Sequence, residues 1–128
     1  MWPIGQLKRM EAEAARMRKL LETEVKRVII QALELEPGLR VWRNNVGTKG
    51  HIHYGLGPGS ADIIAVMYSG GRGRFVALEV KRDARTEPEP HQVDWLQDVR
   101  EHGGFAAVVW DVASARAAIA RARNGESR

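Results

Sequence analysis

At 128 residues, with 44% hydrophobic and 28% charged residues, the chain has the length and balance of one globular domain with a single modest core. It contains no cysteine, which excludes disulfides and thiolate metal sites, so a metal would need oxygen or imidazole donors, and those suit Mg²⁺ or Mn²⁺ before zinc. A net charge of +4 and a sequence pI near 9.8 favour a polyanionic partner such as nucleic acid.

No apolar run approaches the roughly 20 residues of a membrane span, and the N-terminus lacks the pattern of a secretory leader. The expected location is cytoplasmic, with no membrane partner. The first element reads as one long helix, because Leu7, Met10, Ala14, Met17 and Leu21 recur three and four residues apart. The stripe then slips by one residue and resumes at Val25, Val28, Ala32 and Leu35. Residues 22–35 are therefore expected on the domain core, and residues 1–21 form a helical extension whose stripe needs another cover. That cover is either a dimer partner or the helix's own domain.

Pro37-Gly38 ends the helix. A strand follows at Leu39–Asn44, then a loop holding Gly47, Gly50, Gly55, Gly57 and Gly59. Two strands, Asp62–Tyr68 and Arg74–Lys81, flank a glycine-rich turn and read as an antiparallel hairpin. His91–His102 is an amphipathic helix with Val93, Leu96 and Val99 inward. Phe105–Trp110, apolar on both sides, should pair in parallel inside the sheet. Asp111 or Ser114 caps a last helix, Ala113–Arg123, and Asn124–Arg128 is a tail expected to fray. Trp42 and Trp110 read as core or sheet-packing residues. The whole chain is then one α/β domain with core 22–123 and tail 124–128.

Chemistry enters on the second hairpin strand. Alternation points Phe75, Ala77, Glu79 and Lys81 to one face and Val76, Leu78 and Val80 to the other. A carboxylate and an ammonium on so apolar a strand need each other, a metal or water. The hairpin brings Asp62, at the start of one strand, to the end of the other, beside Glu79 and Lys81. Two carboxylates converging with a lysine is what metal-assisted phosphodiester hydrolysis requires. A Glu-x-Lys alone is more often a solvated face, and the acid at the opposite corner is what moves the balance.

Asp62 followed by Glu79-Val80-Lys81 resembles the PD-(D/E)xK nuclease superfamily. The wider run is similar to the VRR-NUC family of phages, bacteria and a eukaryotic repair nuclease. The resembling blocks are ETEVKRVIIQAL (22–33), VWRNNVG (41–47), GPGSADIIAV (57–66), FVALEVKR (75–82), HQVDWLQDVREHGG (91–104) and FAAVVW (105–110). The resemblance implies a restriction-endonuclease-like αβββαβ core with a mixed central sheet flanked by helices. It implies Asp62, Glu79 and the Val80 carbonyl as metal ligands, Lys81 as the catalytic lysine, Glu22 as a further acid at the metal, and Gln92 orienting the attacking water or Lys81. Glu24 is the second choice for the helix acid. One departure is Ala61, where the family has proline before the aspartate.

Arg43, Asn44, Asn45, Lys49, His51 and His53 precede the active-site strand and read either as a phosphate-gripping loop or as a mobile polar loop. With no third soft ligand near His51 and His53, zinc is not expected there. The resulting expectation is a Mg²⁺-dependent endonuclease, with Mn²⁺ able to substitute, acting as a homodimer on branched DNA such as four-way (Holliday) junctions. Two other readings share the residues: a non-catalytic DNA-binding or assembly subunit, and a sequence-specific restriction-type enzyme.

Overall fold

Residues Ile4–Leu33 form one continuous helix, α1. The computed structural model describes residues 1–128. Only the last turns of α1 meet the domain, where Ile29 and Leu33 are fully buried and Val25 and Ile30 pack beside them. Residues 7–22 are exposed throughout, so the helical extension stands clear of its own core. The helix stops two residues short of Leu35, which is left exposed. Pro37 disfavours helical backbone at the residue before it, and the chain has already left the helix there.

The main sheet has the strand order β1-β4-β5-β6, built from β1 (Leu39–Arg43), β4 (Ile63–Ser69), β5 (Arg72–Val80) and β6 (Phe105–Val109). The β1–β4 and β4–β5 pairs are antiparallel and β5–β6 is parallel, a mixed sheet. Between β1 and β4 lies an element the sequence was expected to leave as loop. It is a two-stranded ribbon, β2 (Gly47–Lys49) paired with β3 (Ile52–Tyr54).

Helices cover both faces. On one face α1 and α3 (Val112–Arg123) close the larger core around Ile63, Val76, Leu78 and Phe105. On the other, α2 (Pro90–Glu101) buries Leu96 against Ala61, Ala77 and Ala106. The alternation read from RFVALEVK is therefore correct: Val76 and Leu78 face one layer and Ala77 the other. No helix is long and apolar enough to cross a membrane.

Four further details differ from the sequence reading. Strand β6 pairs in parallel, as expected, but lies at the sheet's edge and not inside it. It is apolar on both sides because helices cover both its faces, and the chain's tail shields its free edge. The Ala106 N–H donates to the Ser127 carbonyl at 3.0 Å, and Arg121 Nε donates to the Arg128 carbonyl at 3.2 Å. Residues 124–128 are thus docked, not frayed, and blunt an otherwise open edge. Trp42 is half exposed and Trp110 partly so, because β1 is the opposite edge strand and α2 lies over β5 and β6. Val93 is also exposed. The inner face of α2 is instead Gln92, Trp95, Leu96 and Val99, with Trp95 against Phe75 at a ring separation of 6.4 Å.

Candidate active site

The hairpin register places the two central carboxylates. Ile63 pairs with Leu78, so one step further Asp62 stands across from Glu79 at the rim of the sheet. Glu79 sits near the end of β5, flanked by β4 and β6, and its side chain is only 3% exposed. Asp62 Oδ2 accepts a hydrogen bond from the Val80 N–H at 2.8 Å, which locks that carboxylate to the strand bearing its partner.

The second side of the site comes from α2. Gln92 occupies the third position of that helix, where its Oε1 accepts the Glu89 backbone N–H at 2.9 Å, a capping contact that fixes the side chain. The same oxygen accepts from Lys81 Nζ at 2.8 Å, and Gln92 Nε2 donates to Glu79 Oε1 at 3.3 Å. Lys81 Nζ lies 3.7 Å from Glu79 Oε1. One amide thereby sets the positions of both the lysine and the carboxylate, and it is itself held by the helix end.

Burial pushes the Glu79 carboxyl up to about 8, and the Asp62 carboxylate beside it adds to this against the opposing pull of Lys81 and Lys26. Its Oε2 is buried with no hydrogen-bond partner. Lys81 and Lys26 each reach one oxygen of the two carboxylates, and Glu79 Oε2 is the buried oxygen that neither reaches. The donors present, all oxygen, fit a hard divalent cation. No group of three or more acids or histidines gathers around one point, so Asp62 and Glu79 are the side-chain ligands on offer.

Lys26, on α1, is the residue that sequence reasoning missed. Its Nζ lies 3.0 Å from Asp62 Oδ1. Glu22, the acid expected from this helix, is exposed, makes no hydrogen bond or ion pair, and does not line the cleft. The two residues are four apart and share a helix face, so the right face was legible, but Lys26 is the one at the level of the rim. Glu24 points elsewhere, pairing with Arg27 beside an apolar groove.

The cleft over these groups encloses about 610 Å³ and is also walled by Arg43, Asn45, Val46 and Tyr54. Asn44 lines it as well, but its polar atoms are engaged internally. Nδ2 donates to Ser60 Oγ and the Ala61 carbonyl, at 2.8 and 2.7 Å, and Oδ1 accepts the Leu56 N–H at 3.1 Å. Asn44 therefore holds the glycine-rich loop and the approach to Asp62. Ala61, in the position of the family's proline, is fully buried and is held by this bond. Lys49, His51 and His53 lie on the exposed ribbon outside the cleft lining. Two glycines are required here. Gly59 has φ +81°, and a Cβ would come within 2.8 Å of the His91 carbonyl. A Cβ on Gly47 would collide with the ring of Tyr54, which lies across it.

A further signal was available in the sequence. From Pro37 to Ala61 there is no acid, while Arg40, Arg43, Lys49, His51 and His53 all fall there. The stretch leading to Asp62 is therefore basic in sequence, and Arg43 is the member of it that lines the cleft. Compared with protein-family models the chain matches none, and no curated protein matches it.

Proposed function

We propose that this protein is a Mg²⁺-dependent deoxyribonuclease of the PD-(D/E)xK, VRR-NUC type that hydrolyses DNA phosphodiester bonds, selects branched structure over sequence, and works as a homodimer. The observation that carries the reading is the Asp62–Glu79 pair, with one buried carboxylate oxygen lacking any partner and Lys81 held beside it. Lys26 and Lys81 each meet only one oxygen of the pair, so the buried Glu79 Oε2 is the position that a bound cation would satisfy.

When bound, a divalent cation there supplies Lewis acidity toward the phosphodiester and lowers the pKa of the attacking water. Asp62 and Glu79 would hold it, with the Val80 carbonyl as a further oxygen. Lys81 offers its ammonium to the charge that develops on the phosphate. Gln92 fixes the direction of that ammonium through its 2.8 Å contact. Arg43 and the acid-free stretch 37–61 supply backbone-phosphate attraction without base contacts. The chain has no element of the kind that reads bases in the major groove as a separate module, which favours recognition of shape.

The test is cleavage of plasmid, linear duplex, flap, fork and four-way junction DNA with Mg²⁺, comparing wild type with Asp62→Ala and Lys81→Ala. Wild type should cut the branched substrates, and each variant should lose at least about 100-fold. EDTA should abolish cutting, Mn²⁺ restore it, and Ca²⁺ support binding only. Equal activity in all three proteins, or undiminished activity in excess chelator, would refute the assignment. One observation favours a second reading, a DNA-binding subunit that does not cut: Lys26 already neutralises one oxygen of Asp62. Tight junction binding with no cleavage on any substrate would select it.

A further inference from the structure

The first half of α1 has no cover of its own. Residues 7–22 are exposed throughout, and a free-standing helix of that length is marginal in water. Its exposed surface nevertheless carries an apolar line through Leu7, Met10, Met17 and Leu21, and Val28, seven residues beyond Leu21, continues it. Val28 opens into an apolar groove of about 420 Å³ at the root of the helix, walled by Val25, Trp110 and Val112. At the far end of the same helix Trp2 and Ile4 are 56% and 73% exposed. One continuous surface therefore ends in an open apolar groove at one end and in two uncovered apolar side chains at the other.

We propose that a second copy of this chain covers that surface, with α1 lying antiparallel on α1. The register sets Met10 against Leu21 of the partner subunit and Ala14 against Met17 of the partner subunit. Charge and the place of the groove together select this register. Here Glu11 faces Arg18 of the partner subunit, twice by the two-fold symmetry. A slide of seven residues one way would oppose the two Glu11 side chains. A slide the other way, although it brings Glu13 to Arg27 of the partner subunit, would oppose the two Arg18 side chains and carry Trp2 and Ile4 past the groove.

The same register brings Val28 level with Pro3 of the partner subunit. Trp2 and Ile4 of each copy then reach the groove beside Val25 and Val28 of the other. A parallel pair would leave each groove roughly 38 Å from the N-termini, at ~1.5 Å per residue, and would crowd both domains at one end. Lys26 lies on the helix face opposite the apolar line, so both clefts face outward. In the antiparallel pair they are about 32 Å apart along the helix axis, close to one turn of B-form DNA. The inference rests on the homodimer of the proposed function and adds the surface and register that form it, whereas it does not depend on DNA cleavage.

The experiment is light scattering and sedimentation equilibrium on the full chain, which read mass whatever the protein does to DNA. Wild type should be a dimer. Glu11→Arg and Arg18→Glu should each weaken dimerisation about tenfold, because each replaces two symmetric ion pairs with two like-charge pairs. The double variant should recover wild-type affinity to within about threefold. Trp2→Ala should also weaken the dimer, while far-UV circular dichroism shows the domain still folded. A monomer mass at the highest soluble concentration overturns the proposal. So does a double variant no better than the singles. Rescue of Arg18→Glu by Glu13→Arg instead would identify a parallel pair and overturn the register.

Discussion

Replacing Glu79 by glutamine tests the charge logic of the site without relying on any substrate. In the metal-free fold this carboxyl is held at about 8 against an ordinary value of 4.5. Below pH 4.5 both folded and unfolded chains carry its proton. Between that value and about 8 only the folded chain does, so the stability it confers is lost as pH rises through this window. Each pH unit inside the window costs about 1.4 kcal/mol, or on the order of 3 kcal/mol between pH 5 and pH 7.5.

Glutamine has the shape of the protonated acid and does not titrate, so Glu79→Gln should lack this slope. The assay is thermal unfolding in EDTA across that range. Relative to the variant, wild type should lose about 10 °C in Tm, taking roughly 3–5 °C per kcal/mol for a domain of this size. Adding Mg²⁺ at pH 7.5 should raise the wild-type Tm, because binding to the folded state alone stabilises it, and leave the variant little changed. Parallel pH profiles for the two proteins would refute the claim that burial and Asp62 hold Glu79 protonated. No response of wild type to any divalent cation would refute the claim that the unpartnered oxygen takes a metal.

Other outcomes follow from single contacts. Lys26 competes with a cation for Asp62 Oδ1 at 3.0 Å, so Lys26→Met should tighten Mn²⁺ binding by about threefold or more in calorimetry. Unchanged or weaker binding would make Lys26 a supporting group and not a competitor. Asn44→Ala removes three hydrogen bonds that pin the loop before Asp62. It should cost about 2–3 kcal/mol in urea unfolding, and a loss under about 0.5 kcal/mol would show that water replaces them. Arg74 bridges the turn before β6 and the end of α3 through the Gly103 and Ala122 carbonyls, both at 3.1 Å. Arg74→Met should therefore cost about 1–2 kcal/mol with no change in metal affinity.

What the sequence by itself determined is the part of the site that local pairing builds. An alternating strand, a glycine-rich turn and a second apolar strand leave one antiparallel register that buries both faces, and it sets Asp62 across from Glu79. Gln92 came only from the family resemblance, and it was the structure that showed Pro90 opening α2 and Gln92 turning back on the helix end. Tertiary structure decided the rest. Helical period shows which residues of α1 share a face, and Glu22 and Lys26 do. Only the depth at which Ile29 and Leu33 dock on the sheet chooses which turn meets the rim, and it is the turn that carries Lys26. Composition likewise could not tell a central strand from an edge strand covered on both faces by helices, so the places of β6 and of the tail came from packing. Asn44 joined the site in the same manner, as the clamp that holds its backbone. The chain's chemistry was written in its hairpin, and the docking of α1 supplied the lysine that now faces it.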